Sequence, residues 1–306
     1  MRVALTGSSG FIGTALVEAL RERGDDVVRF VRPDNATLDE QVIRWDPRRQ
    51  IVDEQDLARA GGFDAVVNLA GAGIGDRRWT SGRKQEILRS RVDSTTLLVE
   101  VLRSASNGTA LLVSGSAVGY YGSRGDEELT EDSTPGTDFL AQTCIQWENA
   151  ANALSGTGTR VATLRSGIVM GANGGALKRQ LPLFRLGIGG PLSNGRQWLS
   201  PISLADEVRA MLWILDHHVS GPINLTCPVP ITNLHFSREL ARALHRPAVV
   251  RTPALALKVV LGSQLTRDAV LASQRVLPRV LSEMGFVFQN QDARSIIGEI
   301  VRPRTN

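Results

Sequence analysis

The chain is poor in cysteine, lysine and tyrosine. Cys144 and Cys227 are its two cysteines, with no CxxC and no cluster of metal-ligand residue types. A disulfide scaffold and a zinc site are therefore not expected, and reduced thiols fit a cytoplasmic location. No apolar run reaches the roughly 18 residues a bilayer-spanning helix needs, so no membrane partner is expected. The opening "MRVALTGSSG" meets glycine before an apolar signal-peptide core forms, and it reads as a strand. Lys84, Lys178 and Lys258 are the only lysines, so the formal net charge of +4 rests on arginine. Arg48–Arg49 and Arg77–Arg78 are short pairs rather than basic runs. They read as a solvated surface or as holders of an anionic small molecule, with no nucleic-acid partner expected. Both tyrosines of the chain, Tyr120 and Tyr121, stand side by side in "SAVGYYGSRGD" (116–126).

Apolar residues make up 42% and charged residues 22%, the balance of a globular protein. The first half alternates short apolar runs with helical periodicity. "RVALT" (2–6), "DVVRFV" (26–31), "VIRW" (42–45), "DAVVNLAG" (64–71), "TALLVSGS" (109–116) and "RVATLRSGIV" (160–169) read as strands. Residues 11–24, 80–106 and 138–154 read as helices, the first stopping at Gly24. "SLADEVRAMLWILDHH" (203–218) reads as a helix opened by Ser203, with Asp206 completing a capping pattern and His217–His218 suiting its C-terminal dipole. "GPINLTC" follows as a strand and "TNLHFSRELARALH" as a helix.

This alternation predicts an α/β fold: a Rossmann-type doubly wound parallel sheet with a smaller C-terminal α/β substrate domain. The expected boundaries are 1–170 plus 200–228 for the dinucleotide-binding domain, and 171–199 with 229–306 for the substrate side. Ligands in such sheets lie beyond the carboxyl ends of the strands. The turns after "VALT", "VVRFV", "VVNL" and "LLVS" should share one crevice, which brings the tyrosine pair near whatever the first turn holds.

That first turn is "LTGSSGFIG" (5–13). Gly7, Gly10 and Gly13 fall between the first strand and the first helix, where glycine allows a sharp turn, a close phosphate approach and tight helix–strand packing. Ser8, Ser9, Phe11 and Ile12 complete the loop, and the helix N-terminus offers free N–H groups to a pyrophosphate. At the end of the second strand stands Arg32, with Arg29 before it, where an NAD site usually carries Asp or Glu. Arginine there suits a 2′-phosphate, so NADP(H) is expected over NAD(H). Asp34 is close enough to keep NAD(H) open.

With "TGSSGFIG", "VVNLAGAGI" and "SGSAVGYYG" in this order, the chain resembles the extended short-chain dehydrogenases/reductases. More narrowly it is similar to their atypical epimerase-family group, the sugar-nucleotide epimerase-like proteins with their own C-terminal domain. "RRWTSGRKQEILRSRV" (77–92), "YYGSRGDEELTEDSTPGTDFLA" (120–141), "GGPLSNGRQWLSPISLADEV" (189–208) and "LASQRVLPRVLSEMGF" (271–286) carry the narrower likeness. The resemblance implies a nicotinamide cofactor, lined by Asn68, Leu69, Ala70 and Gly71 and by Ser114. It also implies a catalytic Ser or Thr after the central strand, which Ser116 matches, and a Tyr-x-x-x-Lys pair on the next helix. That pair is missing: Phe139 and Thr143 stand in its two places.

One of Tyr120 and Tyr121 is therefore a candidate for the missing phenol. The resemblance gives Tyr121 a loop-shaping role, and packing under the turn is the alternative for both. Lys84 is the candidate for the missing cation, or else a solvated helix lysine. Arg185, Arg196, Gln197 and Trp198 are substrate-loop candidates, and Arg165 is a further holder of an anion. Trp147 and Glu148 read as packing or capping residues. Two functions follow: an NADP(H)-dependent oxidoreductase or epimerase-like enzyme acting on a small molecule, or a dinucleotide-binding sensor without turnover. The chain is expected as a monomer or a homodimer.

Overall fold

The structure is a computed structural model that describes residues 1–35, 41–104, 108–172 and 174–301. In chain order it forms β1 (Arg2–Thr6), α1 (Phe11–Glu22), β2 (Asp26–Val31), β3 (Val42–Asp46), β4 (Ile51–Val52), α2 (Glu54–Ala60), β5 (Ala65–Asn68) and α3 (Ser81–Ser104). Next come β6 (Leu111–Ala117), β7 (Glu128–Leu129), α4 (Phe139–Asn152), β8 (Arg160–Ser166), β9 (Ile168–Gly171), β10 (Gly174–Gly175) and α5 (Leu177–Arg185). Then follow β11 (Trp198–Leu199), β12 (Pro201–Ser203), α6 (Leu204–Asp216), β13 (Gly221–Leu225), β14 (Ile231–Thr232), α7 (Asn233–Ala243), α8 (Ala254–Leu261) and α9 (Ser263–Leu265). β15 (Arg275–Val276), α10 (Arg279–Glu283) and α11 (Ala293–Val301) complete the series.

The apolar runs become the middle of one sheet, ordered β13-β8-β6-β5-β1-β2-β3-β4. Strands with apolar residues in succession must be covered on both faces. On β1, Val3 and Leu5 face a core completed by Leu16, Val17 and Leu20 of α1 and by Met211 and Ile214 of α6. Ala4, between them, faces the opposite core, with Leu97, Leu98 and Leu102 of α3 and Ala151 of α4. This is the Rossmann-like, mostly parallel sheet with helices on both faces. The exception to parallel pairing is the edge strand β4, which runs antiparallel to β3.

Two expected strands are shortened by side-chain and cross-sheet bonds. The strand expected over 64–71 stops at Asn68, because the backbone N–H groups of Leu69 and Ala70 turn to the Thr6 hydroxyl, each at 3.1 Å. The strand expected over 160–169 breaks at Gly167, whose N–H goes to Leu225 O while that of Ile168 goes to Ser200 O. There the chain leaves the main sheet, and β9 pairs with β12 and β10 in a small sheet of its own. Ser203 caps α6 as expected, accepting from Asp206 N at 3.0 Å. The Asp206 carboxylate does not return to the cap: it accepts from Gln289 N and Asn290 N at 2.9 and 2.8 Å and holds Arg209. The expected end of the helix near Ser106 lies outside the described residues.

A further core gathers Met170, Leu177, Leu181, Phe184, Phe236, Leu240, Ile296 and Ile297, from β9, α5, α7 and α11. Among the described residues no helix is long and apolar enough to cross a membrane, and no cluster could hold a metal ion.

Candidate active site

The glycine loop has the shape its spacing predicts. Gly7 adopts φ +68, and a Cβ on it would fall 2.6 Å from Leu69 O. A Cβ on Gly13 would fall 2.2 Å from Gly7 O, so this glycine lets α1 press onto the loop. Gly10 differs: its Cβ would meet only Gly7 O, at 3.2 Å, and its outer side is open. Gly10 caps α1 without a side-chain cap bond, and no acidic residue sits in the first helical turn. The free N–H groups there form a cradle that fits a pyrophosphate. Ser8 is buried beneath the loop and Ser9 is exposed on it. The Phe11 ring lies against β10, so close that a Cβ on Gly174 would fall 2.1 Å from it. Ile12 packs into the core under α1.

Asn68 and Ser114 are wholly buried and brace the neighbouring strand ends. Asn68 accepts from Thr6 Oγ1 at 2.7 Å, and its amide donates to Thr95 Oγ1 at 2.8 Å and to Ser114 Oγ at 3.5 Å. They act from beneath, holding the Leu69–Gly71 backbone at the crevice, with Gly71 exposed against the Arg91 side chain. Arg32 is exposed at the tip of β2, followed by Asp34 in a 3-10 turn.

The region of the tyrosines is built by register. Ser116 on β6 and Asn224 on β13 both pair with Arg165 on β8, which sets the three side chains in one row across the sheet. Glu148 of α4 closes over that row. Arg165 grips it with two parallel bonds of 2.9 Å, and Ser116 Oγ donates to it at 2.6 Å. Tyr121 completes the set: its phenol donates to Asn224 Oδ1 at 2.6 Å and accepts from Arg165 at 3.0 Å. Tyr121 is 0% exposed, and burial pushes its phenol up to about 12. It holds its proton and has no face toward the crevice.

Tyr120 is half-buried, edge-on to Tyr121, with the Arg165 guanidinium 3.5 Å from its ring centre. The pair therefore divides: one ring is a buried strut, and the other is a partly open platform braced by a cation. Glu131 seals the floor, its Oε1 accepting from Asn224 N and Val280 N at 3.0 and 3.2 Å. Arg165, expected as an anion holder, is fully engaged inside this network.

At the two positions where the resemblance implies a Tyr-x-x-x-Lys pair, Phe139 and Thr143 make local contacts. Phe139 packs edge-on against Trp79 at 5.1 Å, and Thr143 Oγ1 bonds back to Phe139 O at 2.8 Å. Lys84 of α3 places its ammonium 5.6 Å from the Phe139 ring centre and donates to Gln264 at 3.1 Å. It bonds to neither tyrosine. Burial raises Cys144, on the same helix, to about 11, so its thiol stays protonated.

The substrate-loop candidates separate. Arg185 and Arg196 are exposed, whereas Gln197 is buried and donates to Leu192 O at 3.3 Å. Trp198 donates to Asp126 at 2.7 Å under the Arg275 guanidinium, which joins this loop to the turn after the tyrosines. His217, at the end of α6, sets its Nδ1 2.7 Å from Trp213 O and stacks on the Trp213 ring.

Glu148, Glu131, Asn224 and Ser166 escaped the sequence reading as site residues, as did Glu207. For the two helical glutamates a signal was present. Glu148 shares the buried face of α4 with Cys144 and Ala151, and Glu207 shares that of α6 with Met211 and Ile214. A carboxylate on an apolar stripe demands an internal partner.

Comparison with known proteins agrees with this architecture. Residues 3–226 match the model of the NAD dependent epimerase/dehydratase family, and residues 252–300 match a domain of unknown function, DUF1731. An epimerase family protein of Mycobacterium bovis is 40% identical, over 97% of this chain and 96% of its own length. One of Staphylococcus epidermidis is 34% identical, over 98% and 99%. Among solved structures, human epimerase family protein SDR39U1 (isoform 2) with NADPH superposes with a TM-score of 0.88 at 33% identity, covering 98% of this chain and 99% of that one. A nucleoside-diphosphate sugar epimerase from Corynebacterium glutamicum gives 0.77 at 32%, covering 98% of this chain and 58% of that one.

Proposed function

The chain belongs to the NAD dependent epimerase/dehydratase family, and from that premise we propose that it is an NADP(H)-dependent oxidoreductase or epimerase-like enzyme working without the Tyr-x-x-x-Lys pair. Its substrate is a small, anionic carbonyl or hydroxyl compound. The observation that carries this reading is the uncapped N-terminus of α1 behind an open Gly10, directly after β1. The cofactor supplies hydride exchange when bound.

The chain's own residues supply the rest. The first-turn N–H groups of α1 bind the pyrophosphate, and Arg32, free at the tip of β2, pairs with the 2′-phosphate. That NADPH accompanies the SDR39U1 structure supports this choice. Tyr120 is the phenol left available to a substrate oxygen, since Tyr121 is buried. Lys84, over Phe139, restores from another helix the positive charge the missing pair would have brought. Arg185 and Arg196 attract the anionic substrate.

Cofactor choice is tested by titrating NADPH and NADH against Arg32→Glu. Loss of one charge-assisted contact weakens NADPH by about 1.5–3 kcal/mol, with NADH affected less. Equal weakening of both would refute the role of Arg32. Turnover is tested by following NADPH absorbance across sugar nucleotides and small carbonyl compounds. The packing of Phe139 and Thr143 favours a second reading, a dinucleotide sensor, which predicts tight NADPH binding and no oxidation with any compound.

A further inference from the structure

β8 ends in two consecutive polar residues that face opposite sides of the sheet, and each meets a buried glutamate. Arg165 meets Glu148 on the α4 side, where a guanidinium balances the carboxylate. Ser166 meets Glu207 on the α6 side, where only a hydroxyl does so, donating to Glu207 Oε1 at 2.6 Å. Glu207 is 0% exposed, and its Oε2 is buried without a partner. No structural need explains a carboxyl group there, because an apolar residue would cover the site without desolvating an acid.

Among the described residues the surroundings supply no counter-charge. Asp206 and Arg209, its neighbours on α6, pair with each other and with the backbone at Gln289 and Asn290. Of the elements packed closely on α6, β6, β9 and β12 carry no charged residue, and the charges of α1, Glu18, Arg21 and Glu22, are exposed. Arg165, on β8 itself, points to the other face.

The position matters as much as the isolation. Ser166 is half-buried at the carboxyl end of β8, paired in register with Ala117 of β6, the residue just before the tyrosine turn. In a sheet of this order the pyrophosphate lies over β1, and the 2′-phosphate lies over β2 on one side. A nicotinamide half would then extend the other way, toward the ends of β5, β6 and β8.

We propose that Glu207, acting through Ser166, is a positioning residue that distinguishes oxidised from reduced cofactor. It is a neutral acid opposite the uncharged reduced ring and a carboxylate opposite the cationic oxidised ring. This rests on the reading that the crevice takes a nicotinamide dinucleotide. The proton balance is simple. With Glu207 ionised the Ser166 hydroxyl donates across their 2.6 Å bond, and with Glu207 neutral the direction reverses, the acid O–H donating to Ser166 Oγ. When the oxidised ring binds, the Ser166 proton passes to water in the crevice and the acid proton replaces it, so one proton leaves and Glu207 stays ionised. Burial holds Glu207 up at about 8, so the ordinary state near neutral pH is the acid.

NADP⁺ stabilises the carboxylate, so its affinity rises with pH up to about 8, while that of NADPH does not. The test is titration of both cofactor forms between pH 6 and 9, with proton release measured by a pH indicator in weak buffer. For the wild type, NADP⁺ affinity is expected to rise roughly tenfold, within the usual range for coupled binding events, with proton release that NADPH does not cause. Glu207→Gln should abolish both the rise and the release while retaining NADPH binding. Equal pH profiles for the two forms, or release that persists in Glu207→Gln, would overturn the inference and leave the dinucleotide reading standing. Failure of both forms to bind the wild type would overturn that reading as well. If Glu207→Gln does not fold, the wild type still decides by infrared difference spectroscopy. The carbonyl stretch of a protonated carboxyl must disappear on adding NADP⁺ and persist with NADPH, and its absence from the free protein near neutral pH would equally refute the proposal.

Discussion

Tyr121 and Tyr120 are adjacent in sequence and opposite in role, and single substitutions separate them. Tyr121→Phe removes the donor to Asn224 Oδ1 and an acceptor of Arg165 in a fully buried network. It should destabilise the fold by about 1–3 kcal/mol, the usual penalty for leaving buried polar groups unmatched, as read by denaturant unfolding. Tyr120→Phe keeps the ring over Arg165 and should change stability by no more than about 0.5 kcal/mol. Where a turnover assay is available, this variant should lose about 10²–10⁴ in rate. Unaltered stability in Tyr121→Phe would contradict the buried network, and full activity in Tyr120→Phe would remove that phenol from the chemistry.

At the scale of elements, α1 and α2 make distinct predictions. Gly10→Val adds bulk on the open side of the cradle and should abolish most NADPH binding, measured by fluorescence, while the protein stays folded. Gly13→Ala drives a Cβ into the Gly7 backbone and should lower the unfolding midpoint first. On α2, the Asp56 carboxylate is held down to about 2, chiefly by its bonds from Arg44, Nε at 2.6 Å and Nη2 at 2.9 Å. A depressed carboxyl adds stability above its unfolded value near 3.8 that is lost as pH falls through about 2. Asp56→Asn should therefore melt below the wild type at pH 7. The two melting temperatures should converge between pH 4 and 2. A gap independent of pH would mean that the ion pair is not the cause.

At the scale of the molecule, the C-terminal region is tied to α3 and the loop before it. The Arg78 guanidinium donates to the carbonyls of Val259 and Val260 at the end of α8, and Lys84 reaches Gln264 just beyond it. α8 has no buried residue of its own, so these bonds carry much of its attachment. Arg78→Ala should accelerate amide hydrogen exchange across 254–265 and leave the central strands β1, β5 and β6 unchanged. Uniform protection in both proteins would show that the segment is held by other contacts.

What the sequence determined by itself is whatever depends on near neighbours. Apolar runs such as "VALT" and "LLVS" had to become covered strands, and Gly7, Gly10 and Gly13 had to shape the turn between β1 and α1, because period and steric freedom act within a few residues. What the tertiary structure decided is which polar groups meet. Ser116 and Glu148 are 32 positions apart, Ser166 and Glu207 are 41 apart, and Tyr121 and Asn224 are 103 apart. Their pairing follows from the strand order β13-β8-β6 and its register. A shift of one residue there would turn Arg165 away from Glu148 and Ser166 away from Glu207. That Phe139 and Thr143 stand where the family resemblance implies a tyrosine and a lysine was legible in the sequence. The division of labour between the two tyrosines was not, because it depends on an arginine, a glutamate and an asparagine brought together by the sheet.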